Sequence, residues 1–141
     1  MKKTFVAVMV LALCAIAVAA KAQQKPEDLA RQSAKPWLAL VDSGKYAQSW
    51  NESSQYMRSS ITKDKWDQEV GRARAATGAL RSRDLASIQY KKGLPNMPTA
   101  EYVMAVYNSS FQNWASAVET VFVMRDKDGK WRVAGYFVKP K

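Results

Sequence analysis

The stretch AVETVFVMRDKDGKWRVAGYFV, residues 117–138, decides the fold. Two runs rich in valine and aromatic residues flank a polar turn, which is typical of an antiparallel hairpin. A type I turn on Lys127 and Asp128, with Gly129 in the left-handed bulge position, sets Asp126 opposite a lysine. A two-residue turn at 128–129 would instead set two lysines opposite each other, and facing like charges destabilise a sheet pair. The first arrangement is therefore predicted.

This turn predicts strands at 117–125 and 130–138 in which the numbers of paired residues sum to 256. Glu119 then faces Phe137, and Thr120 faces Tyr136. Both faces of the hairpin are largely apolar, so Glu119 lies on an apolar face, an unusual place for a charge.

The turn is not predicted to bind calcium. Calcium loops place several oxygen ligands in a short span, usually with a later Glu. Here Asp126 and Asp128 stand beside Lys127 and Lys130, and no Glu follows. We therefore predict no metal and no cofactor.

Upstream of the hairpin, a period of two predicts further strands at 80–90 and 100–111. Before Gly78 the apolar period is helical. Helices first and strands afterwards indicate an α+β fold, with N-terminal helices packed on a curved four-stranded antiparallel sheet.

The helical half divides into three predicted helices. The first spans 26–44 and bends at Pro36 without breaking. The second is short and carries Tyr46 and Trp50. Residues 51–60, rich in Ser and Asn, are predicted to be a loop or a frayed turn. The third is capped by Thr62 and ends at Gly78. The predicted buried positions are Leu29, Ser33, Trp37, Leu40 and Val41 in the first helix and Trp66, Val70, Ala73 and Thr77 in the third.

Residues 1–22 have the pattern of a signal peptide. Two lysines precede an apolar run, and Ala20-Lys21-Ala22 is a small-x-small cleavage site. The run is too short to favour a transmembrane anchor. A lipoprotein anchor at Cys14 is the rival interpretation, but the bulky Leu13 precedes that cysteine. We expect a periplasmic or secreted protein with one domain at 23–141.

Composition excludes several chemistries. The chain has no His, and its one Cys, Cys14, lies in the predicted leader, so His-based triads, Cys nucleophiles and zinc sites with N or S ligands are excluded from the mature chain. Removal of the three leader lysines lowers the formal net charge from +10 to +7. The Lys and Arg residues are scattered and the aromatics fall at core spacings, so no nucleic-acid binding is predicted.

The two apolar faces of the sheet predict a partner. Helices can cover one face, and a second copy of the sheet is the simplest cover for the other, which predicts a homodimer through the sheet face. The alternative is that curvature and long side chains hide that face.

Four residues are candidates for a ligand pocket: Glu119, Arg83, Tyr102 and Tyr136. In the structural interpretation, Glu119 and Arg83 form a partly buried ion pair between strands. In the functional one, Glu119 lines a pocket between helices and sheet. Asp84 should point to the opposite face from Arg83.

The chain resembles the bacterial exported proteins grouped as Domain of Unknown Function 4019. The resemblance is carried by WLALVDSGKYAQSW at 37–50, LRSRDL at 80–85, EYV at 101–103, ETVFV at 119–123 and DGKWRVAGYF at 128–137. It implies a cone-like roll similar to nuclear transport factor 2 and the cystatin-like superfold, and it implies no activity.

Three functions fit these features. The leading one is a non-enzymatic domain that binds a ligand, such as a small apolar molecule, or a partner. The second is a small pocket enzyme, an isomerase or hydrolase, that uses Glu119 or Asp84 as general base. The third is a basic adaptor for anionic envelope components, in which the loop KKGLPNM exposes Leu94 and Met97 beside lysines.

Overall fold

The computed structural model describes residues 22–141, so the predicted leader lies outside the described residues apart from Ala22. The helices and strands are α1 (Pro26–Asp42), α2 (Tyr46–Asn51), α3 (Gln55–Ser60), α4 (Lys63–Thr77), β1 (Leu80–Lys91), β2 (Tyr102–Phe111), β3 (Ala117–Arg125) and β4 (Trp131–Pro140). The strands form one antiparallel sheet in the order β1-β2-β3-β4. This confirms the α+β fold with helices packed on a four-stranded sheet. Within residues 22–141, each helix is too short or too polar to cross a membrane.

The first helix passes through Pro36 as one element, as the sequence predicts. Its buried face differs from the predicted stripe and consists of Ala30, Ala34, Trp37, Leu38 and Val41. Leu29, Ser33 and Leu40 are only half-buried. The small alanine side chains let the helix approach the sheet closely, so that face turns inward. Ser33 still contacts the sheet, because its hydroxyl donates to the carbonyl of Trp131 at 2.7 Å.

The prediction of a loop at 51–60 is wrong for its second half. Ser54 caps the six-residue helix α3, with its Oγ accepting from the Met57 N–H at 3.1 Å. Met57 is buried against the core. The serines that indicated a loop instead supply the cap and the exposed side of a helix.

Helix α4 begins and ends as predicted. Thr62 caps it by accepting from the Lys65 N–H, and Gly78 ends it at a φ of 71°. Its buried side chains are Trp66, Val70, Arg74 and Thr77, so Arg74 takes the place predicted for Ala73.

The turn of the β3–β4 hairpin has the predicted geometry. The Gly129 N–H donates to the Asp126 carbonyl at 2.8 Å, and the Asp126 N–H donates to the Lys130 carbonyl at 2.8 Å. Gly129 has a φ of 82°, the left-handed conformation that glycine adopts most easily.

The predicted register holds only next to the turn. Arg125 pairs with Trp131 and Val123 with Val133, but Phe122 pairs with Gly135, so Ala134 is an extra residue in β4. Beyond this bulge every residue of β4 is shifted by one, and successive side chains alternate between faces. Glu119 therefore pairs with Val138 rather than Phe137, and Val121 pairs with Tyr136.

The two faces of the sheet are covered unequally. The inner face packs against the helices in the main core, which includes Trp37, Val121 and Tyr136. On the outer face, one end is covered where Leu94 and Met97 pack against Tyr102. The rest of the outer face carries half-buried apolar side chains and Phe137, which is 63% exposed.

Candidate functional site

The inner face of the sheet contains a buried carboxylate, Glu119, at the middle of β3. Its side chain is 0% exposed. Four donors reach its two oxygens: Arg83 Nε at 2.8 Å, Arg83 Nη2 at 2.9 Å, the Ser109 hydroxyl at 2.5 Å and the Tyr136 hydroxyl at 2.5 Å. The predicted ion pair between β3 and β1 is therefore present, in bidentate geometry.

Arg83 joins this carboxylate to a second one on α1. Its Nη1 and Nη2 donate to the two oxygens of Asp42 at 2.7 and 2.9 Å. Burial opposes the charge on the guanidinium, but hydrogen bonds to Asp42 and Glu119 outweigh it, so the pKa of Arg83 is raised. The side chain remains 13% exposed, and it forms part of the protein surface.

A second guanidinium, that of Arg74 on α4, completes the group. Its Nη1 lies 2.9 Å from Asp42 Oδ1 and 3.9 Å from Glu119 Oε2. It also lies over the ring of Phe111, 4.8 Å from the centroid, which stabilises the cation further. The ion cluster is thus defined by two carboxylates, two guanidiniums and two hydroxyls, those of Asp42, Glu119, Arg74, Arg83, Ser109 and Tyr136.

Opposite charges balance within the ion cluster, and its polar atoms are paired. Among residues 22–141, each buried side-chain nitrogen or oxygen has a hydrogen-bond partner. Burial, followed by the negative charge of Glu119, raises the pKa of Tyr136 well above its ordinary value, so its hydroxyl stays protonated and donates. A general base needs a lone pair that can reach substrate, and the lone pairs of Glu119 are directed at donors within the domain.

The four candidate residues do not form one site. Glu119, Arg83 and Tyr136 come together, whereas Tyr102 lies in the separate cluster on the outer face with Met124 and Ala134. Its hydroxyl donates to the Pro98 carbonyl at 2.6 Å and holds the 92–101 loop. Tyr136 joins Glu119 because the bulge moves it to the inner face.

Sequence reasoning missed half of the ion cluster. Arg74 follows Val70 by one helical turn, so a basic residue on an otherwise apolar stripe was a usable signal. Asp42 comes directly after the buried Val41, with no pattern that marks it. Ser109 contacts Glu119 only because β2 and β3 pair side by side, and that register was not assigned.

A groove borders the ion cluster on the Arg83 side. This α1 groove has a volume of about 580 Å³ and lies between the first helix and strands β1 and β2. Its lining residues are Gln24, Asp28, Arg31, Gln32, Lys35, Leu38, Arg83 and Tyr107. Glu119 is not among them, so the groove reaches the guanidinium but not the carboxylate behind it.

A second groove, of about 830 Å³, lies at the other end of the sheet beside the hairpin turn. Two of its charged lining residues are paired with each other, since Arg125 Nη1 lies 2.9 Å from Glu101 Oε2. The Tyr90 hydroxyl donates to the same carboxylate at 2.6 Å. These three groups are thus engaged with one another within the protein.

The loop KKGLPNM differs from the adaptor expectation. Leu94 and Met97 are half-buried and pack against the domain, so the loop does not expose them beside the lysines. Asp84 is exposed on the outer face, where it pairs with Asn108.

The carboxylates of the hairpin turn bind an arginine. Arg132 contacts Asp126 Oδ2 at 2.8 Å and Asp128 Oδ2 at 2.8 Å. These contacts, with the Lys130 N–H, lower the pKa of Asp128 to about 2. In the part of the chain that the structure describes, no three His, Cys, Asp or Glu residues lie together as a metal site would need.

Comparison with known proteins adds a family without an activity. A family model described as "Protein of unknown function (DUF4019)" matches residues 33–136. The matched segment includes all six residues of the ion cluster. No curated protein matches the chain.

Proposed function

The chain belongs to the DUF4019 family, and from that premise we propose that it is an exported, non-enzymatic binding domain that pairs with a second copy through the outer face of its sheet. The open outer face, on which Phe137 of the edge strand β4 is 63% exposed, carries this proposal. Export is supported by the leader pattern in the sequence. The helices-on-sheet architecture supports a cone-like roll of the nuclear transport factor 2 type.

A binding role fits the chemistry of the ion cluster better than catalysis does. A buried carboxylate that accepts four hydrogen bonds holds strands β1 to β4 together and has no lone pair directed at a groove. The other carboxylate considered as a base, Asp84, is exposed to water on the outer face. The cluster is therefore a structural centre, and binding takes place on the surfaces around it.

The outer face has the composition of an interface. Because directly paired residues share a face, one row across the sheet consists of Ser87, Val106, Thr120 and Phe137. The next consists of Gln89, Met104, Phe122 and Gly135. The Phe122 and Phe137 rings meet edge to face, with centroids 6.0 Å apart. Aromatic and Met side chains in a patch without charged residues at its centre are typical of protein interfaces.

The charges at the edges of this face favour a second copy as the partner. Asp84 on β1 and Lys139 on β4 lie at opposite ends of one row, through Asn108 and Val118. A two-fold axis parallel to the strands would lay β1 of one copy over β4 of the other. Asp84 would then face Lys139 of the partner subunit, and both pairs would form by symmetry.

The mass in solution tests this arrangement. We expect light scattering at micromolar concentration to give the dimer mass for the wild type and the monomer mass for Phe137→Asp, which buries a charge in the interface. Asp84→Lys should raise the dimer dissociation constant by roughly five- to tenfold, because it sets like charges together. The double variant Asp84→Lys/Lys139→Asp should restore it.

Asp67→Lys, an exposed charge reversal on α4, is the matched control and should leave the mass unchanged. A monomeric wild type would rule out the dimer. A dimer that survives Phe137→Asp would place the interface elsewhere.

A further inference from the structure

We propose that the α1 groove binds a small anion, through a carboxylate or phosphate group held by Arg31, Lys35 and the Tyr107 hydroxyl. This inference rests on the proposed binding role and names the chemical class of the ligand. It does not depend on the dimer, because the groove opens between α1 and the inner side of the sheet.

Two cations of the groove lack an internal partner. Arg31 and Lys35 are four residues apart on α1, so they lie one above the other on the same side of the helix. Both are exposed. The ion pairs found among residues 22–141 do not include either of them, although Asp28 lines the same groove. By contrast, Arg74 and Arg83 both form ion pairs with carboxylates.

The opposite wall of the groove supplies a further donor, the hydroxyl of Tyr107. Tyr107 is half-buried on the inner face of β2, and within the described residues its hydroxyl makes no hydrogen bond. Three other tyrosine hydroxyls of the sheet donate to groups of the domain, those of Tyr90, Tyr102 and Tyr136. The Tyr107 hydroxyl therefore remains available to a molecule in the groove.

The electrostatics keep that hydroxyl in its donating form. Burial raises the pKa of Tyr107, and the positive charges of Arg83 and Arg31 act in the opposite direction without reversing the shift. Both guanidiniums thus lie close enough to influence one hydroxyl.

The remaining lining residues limit the ligand. A volume of about 580 Å³ lies within the range of small-molecule sites. Leu38 contributes apolar lining, while the carboxylate of Asp28 repels a second negative charge. An anion of low charge with a small organic body fits these walls better than a polyanion.

Charge reversal at the two cations tests the site. We expect titration of the protein with benzoate, and separately with inorganic phosphate, to shift the amide NMR signals of groove residues in a saturable way. Arg31→Glu/Lys35→Glu should weaken this binding at least tenfold. Arg58→Glu/Arg72→Glu is the matched control, since it makes the same change of charge at exposed helical positions away from the groove.

Tyr107→Phe separates the hydroxyl from the general positive charge. Loss of one hydrogen bond to an anion should weaken binding by roughly five- to tenfold while leaving the cations in place. Affinity unchanged in this variant would overturn the assigned role of the hydroxyl.

The anionic headgroup of a lipid would present the same chemistry as a free anion. A vesicle-binding experiment distinguishes these two sources of the anionic group. Vesicles containing phosphatidylglycerol should retain the wild type more than Arg31→Glu/Lys35→Glu if the group belongs to a headgroup. Soluble anions alone should bind if the ligand is free. Equal behaviour of the wild type and this double variant in both arms overturns the proposal, whereas the solution mass of the same samples reports on the dimer independently.

Discussion

At the scale of single residues, Glu119 shows how a charge is kept inside an apolar strand. Its neighbours in β3, Val121 and Val123, are fully buried, so the carboxylate is far from water. Taking a carboxylate out of water costs several kcal/mol unless partners replace the hydration shell. Arg83, Ser109 and Tyr136 supply those partners, and Arg74 and Asp42 balance the remaining charge.

Removal of this one charge should therefore be costly. Glu119→Gln keeps the shape but leaves two guanidiniums, one buried and one partly buried, against one carboxylate, and we expect the free energy of unfolding to fall by roughly 3–5 kcal/mol. Urea denaturation followed by tryptophan fluorescence measures this. Glu69→Gln removes the exposed pair with Lys65 and should change the stability by less than about 1 kcal/mol. Similar small losses in both variants would contradict the account of the ion cluster.

The sequence predicted only part of this cluster. Glu119 is marked by its place on an apolar strand face and Arg83 is predicted as its partner, and their pairing is confirmed. Arg74, Asp42 and Ser109 come from three other elements, and their meeting depends on how α1 and α4 lie on the sheet. That arrangement is a tertiary property, and periodicity within one segment does not encode it.

At the scale of elements, the hairpin combines a confirmed turn with a wrong register. The turn follows from local chemistry: Asp at the first position, Gly at the fourth, and two lysines that avoid each other. The bulge at Ala134 cannot be predicted from local chemistry. Tyr136 and Phe137 are both large and apolar in character, so either could face the core. Alternation alone gives no reason to choose which of these two side chains faces inward.

The turn can be tested through the backbone of one glycine. Gly129 has a φ of 82°, and a Cβ there would meet only Arg125 Nη2 at 3.9 Å, so the cost of Gly129→Ala lies in the backbone rather than in a clash. We expect a loss of about 1–2 kcal/mol in the free energy of unfolding. Gly93→Ala, where a Cβ meets nothing within 4 Å and φ is not positive, is the control and should be neutral or slightly stabilising. Equal effects at both positions would show that the left-handed conformation is not needed.

At the scale of the whole molecule, the division into helices and strands was predictable from the sequence. The extent of the uncovered outer face was predictable only in part. The change of period at Gly78 marks the boundary between the two halves, and the structure confirms it. The sequence showed two apolar sheet faces, but it did not show that Leu94 and Met97 cover one end of the outer face. What remains open is the region around Phe137, which narrows the proposed interface.

A dimer through that region links stability to concentration. Because association favours the folded state by mass action, a tenfold higher protein concentration should raise the Tm by roughly 2–4 °C. Phe137→Asp should have the same Tm at both concentrations. Differential scanning calorimetry measures both proteins. A wild-type Tm that does not move with concentration would argue against a dimer coupled to folding.

The extra residue at Ala134 also fixes the length of the chain around it. If one amino acid were deleted between Val133 and Tyr136, the side chains at the end of β4 would exchange faces. The ring of Phe137 would then lie against the carboxylate of Glu119, and Tyr136 would point to water. A change in chain length should therefore be costly in this short segment. The one extra residue, Ala134, thus determines which side chains at the end of β4 face the core and which face water.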